Sequence, residues 1–253
     1  MITLKNKRKI KFFSITIILL SLVGLVYSES KIIKWHYATT DNEKIQESVK
    51  ASVIISSPTA ESVEESPKYI IDWDKLKDQN TDTIAYLKVN NTNIDYVIVK
   101  GSNNSYYLNH NFNKESNIAG WPFADYHNKF DGTDKNIIIY GHNTQDNSMF
   151  GSLKNILTEA WYNNEENLVV DLVTENGFNQ YQIFSIYTIV REDYYINTNF
   201  KSNEEYLKFL NTLKKRSIKT FDIDLNEDDQ ILTLSTCLTG GIKRIVLHAK
   251  LLK

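Results

Sequence analysis

The first strong hydrophobic pattern is continuous. FFSITIILLSLVGLVY, Phe12 to Tyr27, is apolar almost throughout, follows Lys5, Lys7, Arg8, Lys9 and Lys11, and precedes the first acidic residue, Glu29. Such a run lies near the short end of the ~17–25 residues that span a bilayer. Its cationic flank predicts a cytoplasmic N-terminus, with everything after Tyr27 on the outer side. A cleaved signal peptide fits too, because Val26 and Ser28 make a weak cleavage site, but the apolar run is longer than a usual signal core. Either reading places the bulk of the chain outside the cytoplasm.

A polar segment follows, residues 28–68, rich in Ser, Glu and Thr (SSPTAESVEESPK) and containing two of the three prolines. It reads as a spacer, helical around Asn42 to Val53 and otherwise disordered. The folded domain is expected over residues 69–253. DWDKLKDQN predicts a short helix with Asp72 near its start and Trp73 and Leu76 on one side. Beyond it the period changes. TIAYLKV and YQIFSIYTIV alternate as half-buried strands do, and NIIIY has the unbroken apolar character of a strand buried on both faces. With IDYVIVK, AGWPFAD, NLVVDLV, QILTLST and RIVLHAKLL, about eight strands are predicted, the pattern of a mainly β sandwich or barrel. Two helical segments interrupt them. One is Ser148 to Leu157. The other, Ser202 to Arg216, has Ser202 as N-cap, Glu205 as its capping-box partner, an apolar stripe of Tyr206, Phe209, Leu210 and Leu213, and cations in its last turn. There is no internal repeat.

Composition changes this picture little. The 253 residues carry a formal net charge of -2, which leaves no basic face for neutralising phosphates and argues against a nucleic-acid partner. Length allows one sizeable domain with appendages.

The single cysteine, Cys237, changes it more. It cannot form an intramolecular disulfide, and an odd cysteine in an exported chain points to intermolecular pairing or a reactive thiol. A thiol nucleophile needs a base nearby and a positive or hydrogen-bonding group where an oxyanion forms. Of five histidines, His36 lies in the spacer, His110 and His127 sit in polar surface-like segments, and His248 falls within the last strand as a structural residue. His142 differs. It closes the strand NIIIYGH and faces a loop, a place where catalytic groups are commonly displayed. Arg244 opens the strand after Cys237, and a hairpin through LTGG brings the two level.

TLSTC at 233–237, IYGHN at 139–143 and the Arg after the cysteine hairpin, behind an N-terminal anchor, resemble sortases, the membrane-anchored cysteine transpeptidases of Gram-positive bacteria. GHNTQDNSMFGSL and the extra helix before the cysteine strand resemble class B in particular. The resemblance covers residues from about Tyr69 to Lys253. It implies a closed eight-stranded barrel with Cys237 as nucleophile, His142 as general acid and base, and Arg244 as oxyanion stabiliser. It further implies Ser235, Asn104 and Leu108 along the substrate groove, and no cofactor. The implied partners are surface proteins bearing an NPXTN- or LPXTG-like sorting signal and a peptidoglycan amine, at the cytoplasmic membrane. One departure stands out: some class B members carry an acidic residue directly after the cysteine, and this chain has Leu238.

Three other readings share parts of the pattern: a pilin-polymerising enzyme, a thiol protease, and an anchored binding barrel without catalysis. The intact set of Cys, His and Arg favours an enzyme. Asp222, Asp224, Asn226 and Asp228 are spaced like the first half of a calcium loop, but Glu227 replaces the glycine and Thr233 the closing glutamate. No metal is therefore expected.

Overall fold

The structure, a computed structural model, describes residues 4–56, 68–190, 192–237 and 243–252. It divides into two compact units at Asp41 and Asn42. The first unit is helical. Helix α1 (Leu4–Lys50) runs through it, and Phe12, Ile18, Leu20, Val23 and Val26 are exposed around its circumference. A helix apolar on every side is suited to lipid, and this one is long and apolar enough to cross a membrane.

The second unit begins with the last turns of α1, so helix replaces much of the expected spacer. Ile45 and Val49 are buried in the main core. β1 (Val53–Ser56) then pairs antiparallel with β2 (Lys68–Ile71), and residues 57–67 between them lie outside the described part. Helix α2 (Trp73–Gln79) starts where its sequence signal predicts. The Asp72 carboxylate accepts from Lys75 N at 3.0 Å, and Leu76 is its buried residue.

Eight strands follow: β3 (Thr83–Val89), β4 (Asp95–Val99), β5 (Phe123–Ala124), β6 (Asn136–His142), β7 (Val169–Thr174), β8 (Gly177–Val190), β9 (Ile231–Cys237) and β10 (Lys243–Leu251). They close into a barrel in the order β10-β8-β7-β3-β4-β5-β6-β9. Among the described residues, closure leaves the barrel itself without an edge strand, which is how small all-β domains avoid templating aggregation. Leu87, Ile98, Phe123, Ile139, Leu172, Ile183, Leu234 and Leu247, from all eight strands, belong to one continuous core.

Most neighbours are antiparallel. The exceptions are β4 with β5, through the single pair Val99 and Phe123, and β6 with β9 over seven residue pairs. A parallel neighbour needs a crossover, and here the chain between β6 and β9 builds β7, β8 and two helices. The first helical region, predicted over Ser148 to Leu157, is a 3-10 helix at Gly151–Leu157 followed by the short α3 (Glu159–Tyr162).

The second is α4 (Asn203–Arg216). The Ser202 hydroxyl accepts from Glu205 N at 3.1 Å, and the Glu205 carboxylate reaches back one residue further than a standard capping box, to Lys201 N at 2.7 Å. Tyr206, Phe209, Leu210 and Leu213 pack with Phe184, Tyr187, Ile189 and Val246 in a second apolar cluster on the barrel wall. At about 1.5–3 kcal/mol for each large apolar side chain removed from water, this stripe is what holds α4 against the barrel.

Candidate active site

β6, β9 and β10 are consecutive strands, and the three residues singled out as Cys, His and Arg stand at their corresponding ends. In the parallel ladder between β6 and β9, His142 pairs with Cys237 as the last pair. In the antiparallel ladder between β9 and β10, Val246 faces Ser235. Carried two residues further, that register sets Arg244 opposite Cys237. The ladder is capped there by a side chain, with Ile245 N donating to Thr236 Oγ1 at 2.9 Å. The cysteine backbone is thus flanked by histidine on one side and arginine on the other. Leu238 and the glycine turn after it lie outside the described residues.

The sequence around His142 explains its fixed position. A Cβ on Gly141 would stand 2.5 Å from two Phe150 ring carbons, so glycine lets the loop after β6 fold back tightly. Phe150 N then donates to His142 O at 2.9 Å. The ring is held from a different segment, the 3-10 turn at Tyr106–Leu108, where Leu108 O lies 2.7 Å from Nε2. A carbonyl only accepts, so Nε2 carries a proton. Burial pushes the imidazole pKa below its ordinary value, and the Leu108 hydrogen bond, which favours the charged ring, offsets this only in part.

Gly120 completes the seat. It has φ +61, and a Cβ there would stand 2.4 Å from Tyr107 O, 2.9 Å from His142 Cδ2 and 2.9 Å from Leu108 O. Only glycine lets the backbone come this close to the ring while adopting a left-handed conformation. Trp121 N fastens the same contact by donating to Tyr107 O at 3.0 Å.

Arg244 is held from the connection after β8. Its Nη1 donates to Asp193 Oδ1 at 3.0 Å and to the Tyr195 hydroxyl at 3.1 Å. Tyr195 is fully buried and its oxygen lies 2.8 Å from Ser235 Oγ. Burial raises the Tyr195 pKa, so it remains a phenol at neutral pH. Ser235, expected along the groove, is itself fully buried and reaches Arg244 through Tyr195. Asn104 is partly buried and locked: its Nδ2 donates to Asp125 Oδ2 at 2.7 Å, and its Oδ1 accepts from Tyr126 N at 3.0 Å. Asp125, buried, also accepts from the Tyr140 hydroxyl at 2.9 Å, tying that loop to β6.

His110, His127 and His248 are engaged elsewhere. His127 Nδ1 lies 2.8 Å from Asp125, and His110 stacks on Tyr106 with ring centroids 3.9 Å apart. His248 is fully buried between the Tyr187 hydroxyl at 2.8 Å and Thr233 Oγ1 at 2.9 Å. Thr233 gives its proton to Asn136 Oδ1, so it accepts from His248 Nδ1–H, and Nε2 accepts from Tyr187. Desolvation pushes His248 down to about pKa 3, which suits a neutral structural residue.

In the acidic turn before β9, Asp229 Oδ2 accepts from Asn226 N at 2.7 Å and pairs with Lys250 at 3.0 Å. Lys250 also donates to Asp224 O at 2.8 Å. An ammonium group thus stands beside the turn's carboxylate.

The motifs made Cys237, His142, Arg244 and Leu108 visible. Gly120, Tyr195 and Asp125 were not found. Gly120 alone had a local signal, an isolated glycine opening a strand-like segment, which suggests close backbone approach.

Known proteins share this chain's sequence pattern and fold. Residues 87–252 match the Sortase domain family. Sortase B of Listeria monocytogenes is 34% identical over 239 residues, covering 91% of this chain and 92% of that protein. The crystal structure of sortase B from Bacillus anthracis in complex with AAEK1 superposes with a TM-score of 0.73 at 30% identity, covering 86% and 99% of the two chains. The Staphylococcus aureus sortase B–substrate complex gives 0.67 at 33% identity, covering 71% and 84%.

Proposed function

The chain belongs to the sortase family, and from that premise we propose that Cys237, His142 and Arg244 carry out its acyl transfer. It is a cysteine transpeptidase of the class B type, acting in the attachment of surface proteins. The observation that carries the residue assignment is the register: His142 beside Cys237 in one ladder, and Arg244 opposite it by extension of the other.

In the proposed reaction His142 Nδ1 takes the Cys237 thiol proton as the sulfur attacks the carbonyl carbon of the threonine in an NPXTN- or LPXTG-like signal. A tetrahedral oxyanion forms, and the Arg244 guanidinium balances its charge. His142 Nδ1 protonates the departing amine as the C–N bond breaks, leaving a thioester on Cys237. An amine of the peptidoglycan precursor then attacks the thioester. His142 takes its proton, the thiolate leaves, and a new amide joins the surface protein to the wall. The lone cysteine fits this chemistry, because a second one could trap the nucleophile in a disulfide.

The N-terminal part of α1 serves as the membrane anchor in this reading. The cationic residues before Phe12 stay in the cytoplasm, and the barrel works outside.

The test is incubation of the full chain in detergent micelles with fluorogenic NPXTN- and LPXTG-type peptides, with and without an amine acceptor. Cleavage lost in Cys237→Ala and diverted by the amine to a new amide is the expected result. Cleavage by water alone, unaffected by amine, would make the enzyme a protease. No cleavage together with a Cys237 inert to alkylation would leave a binding protein.

A further inference from the structure

Asn42 is an unusual residue to find inside a helix. It lies eight residues before the end of α1 (Leu4–Lys50), where asparagine is a poor helix former, and it is only 3% exposed. Both ends of its amide are used, and both on one distant turn. Nδ2 donates to Gly120 O at 2.9 Å, and Oδ1 accepts from Asn117 Nδ2 at 3.1 Å. The turn between those partners is closed by Gly120 N donating to Asn117 O at 3.0 Å, and Ala119 N donates to Asn117 Oδ1 at 2.9 Å. The Asn42 amide therefore closes over a turn that is already rigid.

That turn ends at Gly120, whose Cα faces the His142 ring and the Leu108 carbonyl bonded to it. The end of α1 is itself docked. Ile45 and Val49 are buried, Lys50 pairs with Asp95 at 2.7 Å, and the Gln46 amide donates to Asp95 O. A contiguous path thus runs from the docked helix through Asn42 and Gly120 to the imidazole.

We infer that Asn42 is a positioning residue for His142, holding the Gly120 turn against the ring so that its Nδ1 keeps its aim. The inference rests on His142 being the acid and base of the proposed reaction. It extends the working part of the enzyme upstream of the barrel, into the helix that also carries the apolar N-terminal stretch. A side chain displaced by about an ångström can lose on the order of a hundredfold in rate, so loss of one of several supports is expected to cost about tenfold.

The experiment compares Asn42→Ala, Asn42→Asp and Ile45→Ala in the full chain in detergent. Asn42→Asp keeps the acceptor for Asn117 but loses the donor to Gly120. Ile45→Ala weakens helix docking without touching the turn. Three readouts are taken: kcat and KM for peptide cleavage, thermal unfolding, and the His142 ring resonances across pH in histidine-labelled protein, assigned with His142→Gln. Both Asn42 variants are expected to lower kcat about tenfold with KM unchanged and to shift the His142 resonances. Ile45→Ala is expected to lower the melting temperature and leave those resonances in place. The inference is overturned if Asn42→Ala keeps wild-type kcat and resonances, or if Ile45→Ala moves both as much as Asn42→Ala does. Should the wild-type chain cleave no peptide, the proposed function fails, and the His142 resonances still decide whether Asn42 positions the ring.

Discussion

His142 and Cys237 end their strands as a directly paired couple in a parallel ladder. Parallel pairing aligns strand ends of the same polarity, so both residues reach the same rim of the barrel. Their closeness is a property of the backbone, and substitutions that keep the ladder should alter the chemistry without dispersing the site.

Gly120→Ala tests the seat of the imidazole. The added methyl meets Tyr107 O and His142 Cδ2 at 2.4 and 2.9 Å, in a backbone of φ +61. Gly132→Ala is the control, since its φ is +85 but nothing lies within 4 Å of the added carbon. Left-handed strain alone costs about 1–2 kcal/mol and should appear in both melting temperatures. Peptide cleavage should fall at least tenfold in Gly120→Ala alone, and equal activities in the two variants would refute a steric role at the ring.

Tyr195→Phe keeps the ring and deletes the hydroxyl shared by Arg244 and Ser235. Loss of a buried partner costs about 1–3 kcal/mol of stability. Among the described residues, Arg244 then retains only the exposed Asp193 carboxylate as an acceptor. Turnover is expected to drop about tenfold, with alkylation of Cys237 little changed. Adding Ser235→Ala should restore stability in part but not rate, and recovery of both would show that the hydroxyl matters only to folding.

His142 should titrate below the ordinary imidazole range, because burial disfavours its charged form more than the Leu108 carbonyl favours it. At pH 7 the free enzyme then holds a neutral ring with the proton on Nε2. A nitrogen-15 titration of labelled histidine checks both points. A midpoint above the ordinary value, or a proton found on Nδ1 in the neutral form, would contradict the arrangement.

His248 predicts acid sensitivity. Its folded pKa of about 3 lies below that of the unfolded chain, so as pH falls below about 6.5 the unfolded state takes up a proton that the folded state refuses. Stability is therefore lost with falling pH towards 3, with a slope of up to about 1.4 kcal/mol per pH unit from this group. Denaturant unfolding at pH 7 and pH 5 should show a smaller difference in His248→Gln than in the wild type, even if the variant is weaker at both.

All eight barrel strands were legible in the sequence, because alternation and continuous apolar runs respond directly to which faces are buried. The helix before β9 was equally plain from its cap and stripe. Cys237, His142 and Arg244 could be singled out because each sits at a recognisable strand end, and the ladders bring those ends together. What could not be read depends on contacts between distant segments. Tyr195 is an ordinary aromatic until the fold sets its hydroxyl between Arg244 and Ser235. Asn42 looks like part of a polar linker, since nothing in SESKIIKWHYATTDNE tells a solvated helix from one docked at its end. Ser235 carries a family signal but is buried, with its hydroxyl against that of Tyr195.

The parallel pairing of β6 with β9 joins residues about 95 positions apart, and everything between them must find its place before the ladder can close. Contacts of such sequence separation form late, because the entropy of closing the loop has to be met first. A newly made chain therefore carries its thiol and its imidazole far apart. On the proposed assignment, thioester chemistry waits for the β6–β9 ladder to close.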